Sequence, residues 1–148
     1  MHNTPIHLLL ADDDLDDRIF FEEALEEIPV VTQLTTAHDG VHLMQLLAAK
    51  ETLPHVLYLD LNMPRKNGFE CLAEIKRDAK LNQIPVIIFS TSFDKEAADL
   101  LYEHGAHYCI RKPPEFENLK NMILKSLELI SKLKNERPSR DEFLLKVI

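Results

Sequence analysis

Five short apolar runs, each closed by a polar turn and followed by a segment of helical period, constrain this chain more than any other feature. They are IHLLLA at 6–11, VVTQLTTA at 30–37, VLYL at 56–59, IPVIIF at 84–89 and HYCIR at 107–111. Runs that are apolar throughout, rather than alternating, mark strands covered on both faces, and the second run earns the same reading from its β-branched residues. Between them, Phe21, Ala24, Leu25 and Ile28 step at three and four residues, as do Leu43, Met44, Leu46 and Leu47, and then Phe69, Leu72 and Ile75. The spacing predicts helices over about 16–28, 41–50 and 68–80, a fourth over 94–104 ending on Gly105, and a fifth traced by Phe116, Leu119, Ile123, Leu127 and Ile130. Strict alternation of five strands with five helices predicts an α/β fold in three layers, with a doubly wound, five-stranded parallel sheet between two helical layers. A closed barrel would need eight such units.

The chain has 148 residues, room for one domain of ordinary size. We expect that domain over 1–134, and a C-terminal extension at 135–148 whose cluster Phe143, Leu144, Leu145, Val147 and Ile148 folds back onto it. Twenty-five acidic against 17 basic side chains, a formal charge of −8, argue against a nucleic-acid surface. No run approaches the length of a membrane helix, and residues 6–11 are too short for a secretory core, so the expected compartment is the cytoplasm. Cys71 and Cys109 lack the spacing of a redox or metal pair and read as small buried residues.

The strand ends carry the chemistry. Asp12 and Asp13 follow the first run, Asp60 the third, Ser90 the fourth and Lys112 the fifth, and in a parallel sheet these lips share one edge. Three carboxylates gathered there would repel one another without a cation, and an all-oxygen ligand set suits Mg²⁺, with Mn²⁺ fitting the same ligands. A hydroxyl and an ammonium beside them supply what the oxygens of a phosphoryl group need during transfer. Together they describe an aspartyl-phosphate site.

LLLADDD, YLDLNMPRKNG, PVIIFSTS and GAHYCIRKP, in this order, resemble the receiver domain of two-component response regulators over about residues 6–133, and the turn KRDAKLNQIPV resembles the single-domain regulators linked to phytochrome kinases. The resemblance implies a CheY-like sheet of order 2-1-3-4-5. It implies Asp60 as phosphoacceptor, Asp13 as direct metal ligand, Asp12 acting largely through water, and Asn62 offering its backbone carbonyl. Lys112 would pair with Asp60 or the phosphate, Lys112-Pro113 would be a cis bond, and Ser90 would move toward the phosphoryl group. The donor would be a sensor histidine kinase or phosphotransfer protein. The protein would catalyse only its own phosphorylation and dephosphorylation, and would signal by binding an unidentified downstream protein. A homodimer through helix four, strand five and helix five is compatible with this reading. Cys109 departs from the family, which places an aromatic switch residue there. Because Tyr108 faces the opposite side of the strand, it cannot substitute.

Three rivals remain at this stage. A receiver-like interaction module that does not switch would fit Cys109. Asp12, Asp14, Asp16, Ile19 and Glu23 fall at EF-hand ligand positions, although Asp17 stands where the loop needs Gly. Asp12 and Asp14 have the spacing of a Mg²⁺-dependent phosphohydrolase.

Overall fold

The computed structural model describes residues 4–49, 51–133 and 136–146. Lys50, at the expected end of the second helix, and Asn135, Val147 and Ile148 of the C-terminal extension lie outside the described residues. The elements run β1 (Ile6–Ala11), α1 (Leu15–Glu27), β2 (Thr32–Ala37), α2 (Gly40–Ala49), β3 (Val56–Leu59), α3 (Gly68–Arg77), β4 (Val86–Ser90), α4 (Lys95–Glu103), β5 (Tyr108–Arg111), α5 (Phe116–Lys132), α6 (Arg140–Phe143) and β6 (Leu144–Leu145). The sheet is parallel, in the order β2-β1-β3-β4-β5-β6.

The expected order is therefore present, with one correction. Among the described residues the sheet has six strands, because Leu144 and Leu145 pair beside Cys109 and Ile110 on the outer edge of β5. A two-residue strand has no period to read, so the sequence offered only an apolar cluster there.

Alternation along each strand divides the core into two layers. Leu9, Leu57, Ile88 and Cys109 face α2, α3 and α4, while Leu10, Tyr58, Ile87 and Tyr108 face α1 and α5. In the second layer the Tyr58 hydroxyl reaches Ser126 Oγ at 2.5 Å, and Ser126 donates onward to the Ile123 carbonyl at 2.7 Å, which satisfies both buried hydroxyls.

The described residues of the extension, 136–146, fold back onto the domain. Phe143 is fully buried with its ring edge-on to Tyr102 at 5.3 Å, the Tyr102 hydroxyl donates to the Pro138 carbonyl at 2.8 Å, and Arg140 Nη2 lies 2.7 Å from Asp99 on α4. Consequently the surface of α4 and β5, expected to be offered to a partner or a second copy, is partly covered by the chain's own C-terminal segment.

Candidate functional site

The register of the sheet builds the site. Ala11 of β1 lies beside Leu59 of β3, so Asp12 and Asp60 leave the sheet together, and the Asp60 amide donates to the Ala11 carbonyl at 3.0 Å. Ser90 of β4 lies beside Arg111 of β5, and the Lys112 amide donates to the Ser90 carbonyl at 2.9 Å. The strands thus deliver two carboxylates, a hydroxyl and an ammonium to one lip.

The turn after Asp60 is held by its own backbone. Gly68 N–H donates to the Leu61 carbonyl at 2.9 Å, and a Cβ on Gly68 would stand 2.3 Å from the Asp60 carbonyl oxygen, so only glycine admits this approach. Asn67 then caps α3 reciprocally with Glu70, at 2.9 Å in both directions.

Asp12 is fully buried, Asp60 is nearly so and Asp13 is exposed, yet one carboxylate oxygen from each lies within 4.8 Å of the others. Lys112 Nζ sits among the acids, 2.6 Å from Asp12, 2.8 Å from Asp17 and 3.1 Å from Asp60. Burial pushes the Asp12 carboxyl up to about 6 even though Lys112 opposes the shift. Burial works against the Lys112 ammonium too, but its bonds to Asp12 and Asp17 prevail and hold it above the usual lysine range. The site is therefore an excess of acid, part of it costly to keep ionised, around the Lys112 ammonium. It has the donor chemistry of a hard divalent ion, and the three clustered carboxylates fit one.

Of the sequence-derived residues, Asp12, Asp13, Asp60 and Lys112 converge. Ser90 is fully buried at the same edge, its hydroxyl making a long 3.5 Å contact to the Ser92 carbonyl. Asn62 is exposed in the turn after Asp60. Cys109 is buried in the layer that contains Phe143, with its thiol pushed up to about 12 by burial, so it is an inert packing residue. The expected cis bond is a correction: no cis peptide occurs among the described residues. The Lys112–Pro113 bond is trans, the form favoured for X–Pro by about 0.5–1 kcal/mol, and Lys112 reaches all three acids without the cis form.

Two contributors escaped the sequence reading. Asp17, noted in the sequence only as the residue where an EF-hand loop needs Gly, is a partner of Lys112, and Arg18 donates to the Asp12 carbonyl at 2.6 Å. Both contacts are made by the first turn of α1 reaching back over β1, which no local pattern announces. The EF-hand reading fails, since its loop positions run into α1 after a strand rather than between two helices. Asp14, which the phosphohydrolase reading would need as an acid, is the exposed N-cap of α1, accepting from the Asp17 amide at 3.0 Å.

A family model described as the response regulator receiver domain matches residues 8–124, so this chain belongs to the receiver domain family of two-component response regulators. Among curated relatives it is similar to response regulator Rcp1 of Synechocystis sp., 30% identical over 126 residues, covering 82% of this chain and 86% of that protein. It is also 29% identical to the two-component response regulator ARR6 of Arabidopsis thaliana, over 80% of this chain and 67% of the relative. Among solved structures, the phosphorylated cyanobacterial phytochrome response regulator RcpA superposes with a TM-score of 0.79 at 30% identity, over 87% of this chain and 96% of that one. The Mn²⁺-bound form of Rcp1 does so with a TM-score of 0.75 at 28% identity, over 91% and 100%.

Proposed function

We propose that this protein accepts a phosphoryl group on Asp60 from the phosphohistidine of a sensor kinase or phosphotransfer protein, and relays the new charge to a partner protein. The observation that carries the reading is the seat of Lys112 Nζ, 3.1 Å from Asp60 and 2.6 Å from Asp12, within a cluster of acids at the sheet edge. In the transfer, an Asp60 carboxylate oxygen forms a bond to phosphorus as the phosphorus–nitrogen bond breaks, and the electron pair leaves on the imidazole. The Lys112 ammonium, already in contact with Asp60, neutralises charge gathering on the phosphoryl oxygens. Ser90 Oγ, held by no short bond, is available to donate to one of them.

Asp12, Asp13, Asp60 and the Asn62 carbonyl would hold a divalent cation, Mg²⁺ with Mn²⁺ as substitute. Its bound charge would lower the repulsion between the Asp60 carboxylate and an incoming phosphate. Leu15 and Ile19 are exposed one turn apart on α1, beside Asp13, and give the donor protein an apolar foothold there.

The route outward starts at Ser90. Movement of its hydroxyl toward a phosphoryl group would draw the loop that carries Phe93, on which the Arg111 guanidinium stacks at 4.3 Å, and with it α4, whose Asp99 and Tyr102 hold the C-terminal segment. The surface read by a partner is then α4 together with α6 and β6. No helix among the described residues is long and apolar enough to cross a membrane, which is compatible with action in the cytoplasm.

The test is incubation with phosphoramidate and Mg²⁺, followed by intact mass, on the wild type and on Asp60→Asn. A phosphoryl mass gained by the wild type alone is expected. Absence of that gain, or its persistence in Asp60→Asn, would overturn the assignment.

A further inference from the structure

At the opposite end of the sheet from Asp60, a cavity of about 660 Å³ opens under the first residues of β1 and β3 and the residues that precede β4 and β5. That volume is within the range of small-molecule sites. One wall is apolar, formed by Ile6, Val56, the α5 residues Leu127 and Ile130, and Leu133 at the helix end. The other wall is made of donors.

Lys76 comes from the end of α3, its stem passing about 3.1 Å from where a Cβ of Gly105 would stand. Its ammonium has a backbone carbonyl, that of Asn82 at 3.3 Å, as its hydrogen-bond partner. Arg137 crosses the mouth, donating to the carbonyls of Tyr102 and Ala106 at 2.6 and 3.0 Å. His107 and His55 each accept a backbone N–H at Nδ1, from Val86 and His7, which leaves Nε2 of each ring as the protonated, donating nitrogen of the neutral imidazole. Glu136, the acid in the lining, is exposed, and among the described residues no carboxylate lies within ion-pair distance of Lys76 or Arg137.

Burial, and after it the Arg137 guanidinium, pull the Lys76 ammonium down to about 8; burial and then these same two cations push His107 down to about 4. In a chain of net charge −8, the half-buried Lys76 and His107 and the exposed Arg137 line one cavity whose acid, Glu136, makes no ion pair with Lys76 or Arg137 among the described residues.

The geometry points to a second binding site in this cavity, for a small amphipathic organic anion whose carboxylate or phosphate meets Lys76 and Arg137 while its apolar body lies along α5. Both heads share the chemistry that recognises them, an anionic group accepting from an ammonium, a guanidinium and imidazole N–H donors. A recessed cavity, half open to solvent, favours a soluble molecule over a flat membrane surface. The site lies at the far end of the strands from Asp60, so it stands whether or not Asp60 is the phosphoacceptor.

The experiment is calorimetric titration of the full chain with octanoate, octyl phosphate and octan-1-ol in parallel, on the wild type, Lys76→Met, Lys76→Arg and Asp60→Asn. Saturable binding of at least one of the two anions is expected, with octan-1-ol at least about fivefold weaker, and preference between the anions identifies the head group. Lys76→Met removes a half-buried charge while keeping the stem; it should weaken binding at least about fivefold, with Lys76→Arg restoring part of it and Asp60→Asn leaving it unchanged. Circular dichroism establishes that each variant is folded. Absence of saturable binding by both anions, equal binding of the alcohol, or a smaller effect of Lys76→Met would overturn the proposal.

Discussion

Replacing Phe143 with alanine separates two ways in which the C-terminal segment could matter. The ring is fully buried, edge-on to Tyr102 and under the Arg140 guanidinium at 5.6 Å, but its helix packs on α4, β5 and β6 rather than on the centre of the sheet. Phe→Ala in a core costs about 3–5 kcal/mol. Here the lower end applies, because the segment can lift away instead of preserving a cavity. At about 1.4 kcal/mol per tenfold, a loss of about 3 kcal/mol raises the population of the lifted segment roughly 150-fold. Native-state hydrogen exchange reads this directly. Amides of Leu144 and Leu145 should exchange about two orders of magnitude faster, whereas those of Leu9 and Leu57 in β1 and β3 should change less than about threefold. Equal acceleration in the central strands would mean that Phe143 belongs to the global core. A change below about fivefold at Leu144 and Leu145 would mean that the ring does not hold the segment, and either result refutes the reasoning.

The hydroxyl pair in the α1–α5 layer should respond asymmetrically to urea denaturation. Tyr58→Phe leaves Ser126 its bond to the Ile123 carbonyl and should cost at most about 1 kcal/mol, whereas Ser126→Ala strands the buried Tyr58 hydroxyl and should cost about 1–3 kcal/mol. His107 is held at about 4 in the fold, against about 6.5 in the unfolded chain, by burial and by Lys76 and Arg137, so between those values the unfolded chain binds the extra proton. Its contribution is present above about pH 6.5 and lost as pH falls toward 4; from about pH 7 to about pH 5 His107→Asn should lose about 1–2 kcal/mol less stability than the wild type, by the same denaturation assay. Cys109→Phe should overpack the layer that already contains Phe143, lowering stability by about 1–3 kcal/mol and speeding exchange at Leu144 and Leu145.

What could be read in the sequence was whatever one element carries by itself. The buried strands carry their own signal in continuous apolar runs, and the strand lips place Asp12, Asp60, Ser90 and Lys112 on one edge because parallel topology leaves no other arrangement. Element ends were less legible. Val30 and Val31 have strand propensity but precede the ladder, which starts at Thr32, and Pro85, which cannot donate to a ladder, leaves Val86 as the first residue of β4. What depends on contacts between distant segments was not legible at all. Asp17 reaches Lys112, and Lys76 shares a cavity with Arg137, only once the chain is folded.

The two edges of the sheet show why the C-terminal segment belongs to the domain. At one edge, β2 is Thr32-Gln33-Leu34-Thr35-Thr36-Ala37, and its polar side chains make an exposed edge tolerable. At the other, Tyr108, Cys109 and Ile110 of β5 are buried on both faces. An uncovered β5 would offer an apolar edge to any passing strand, and the chain meets that hazard with its own β6, anchored by Phe143 in the layer where Cys109 is small. The covering and the small residue at position 109 are then parts of one arrangement: Phe143 of the C-terminal segment is buried in the same layer as Cys109, and a ring at position 109 would overfill it. A partner approaching this side meets α4, α6 and β6, and under the proposed function a signal leaving Asp60 through α4 would act on the contacts that hold the covering in place.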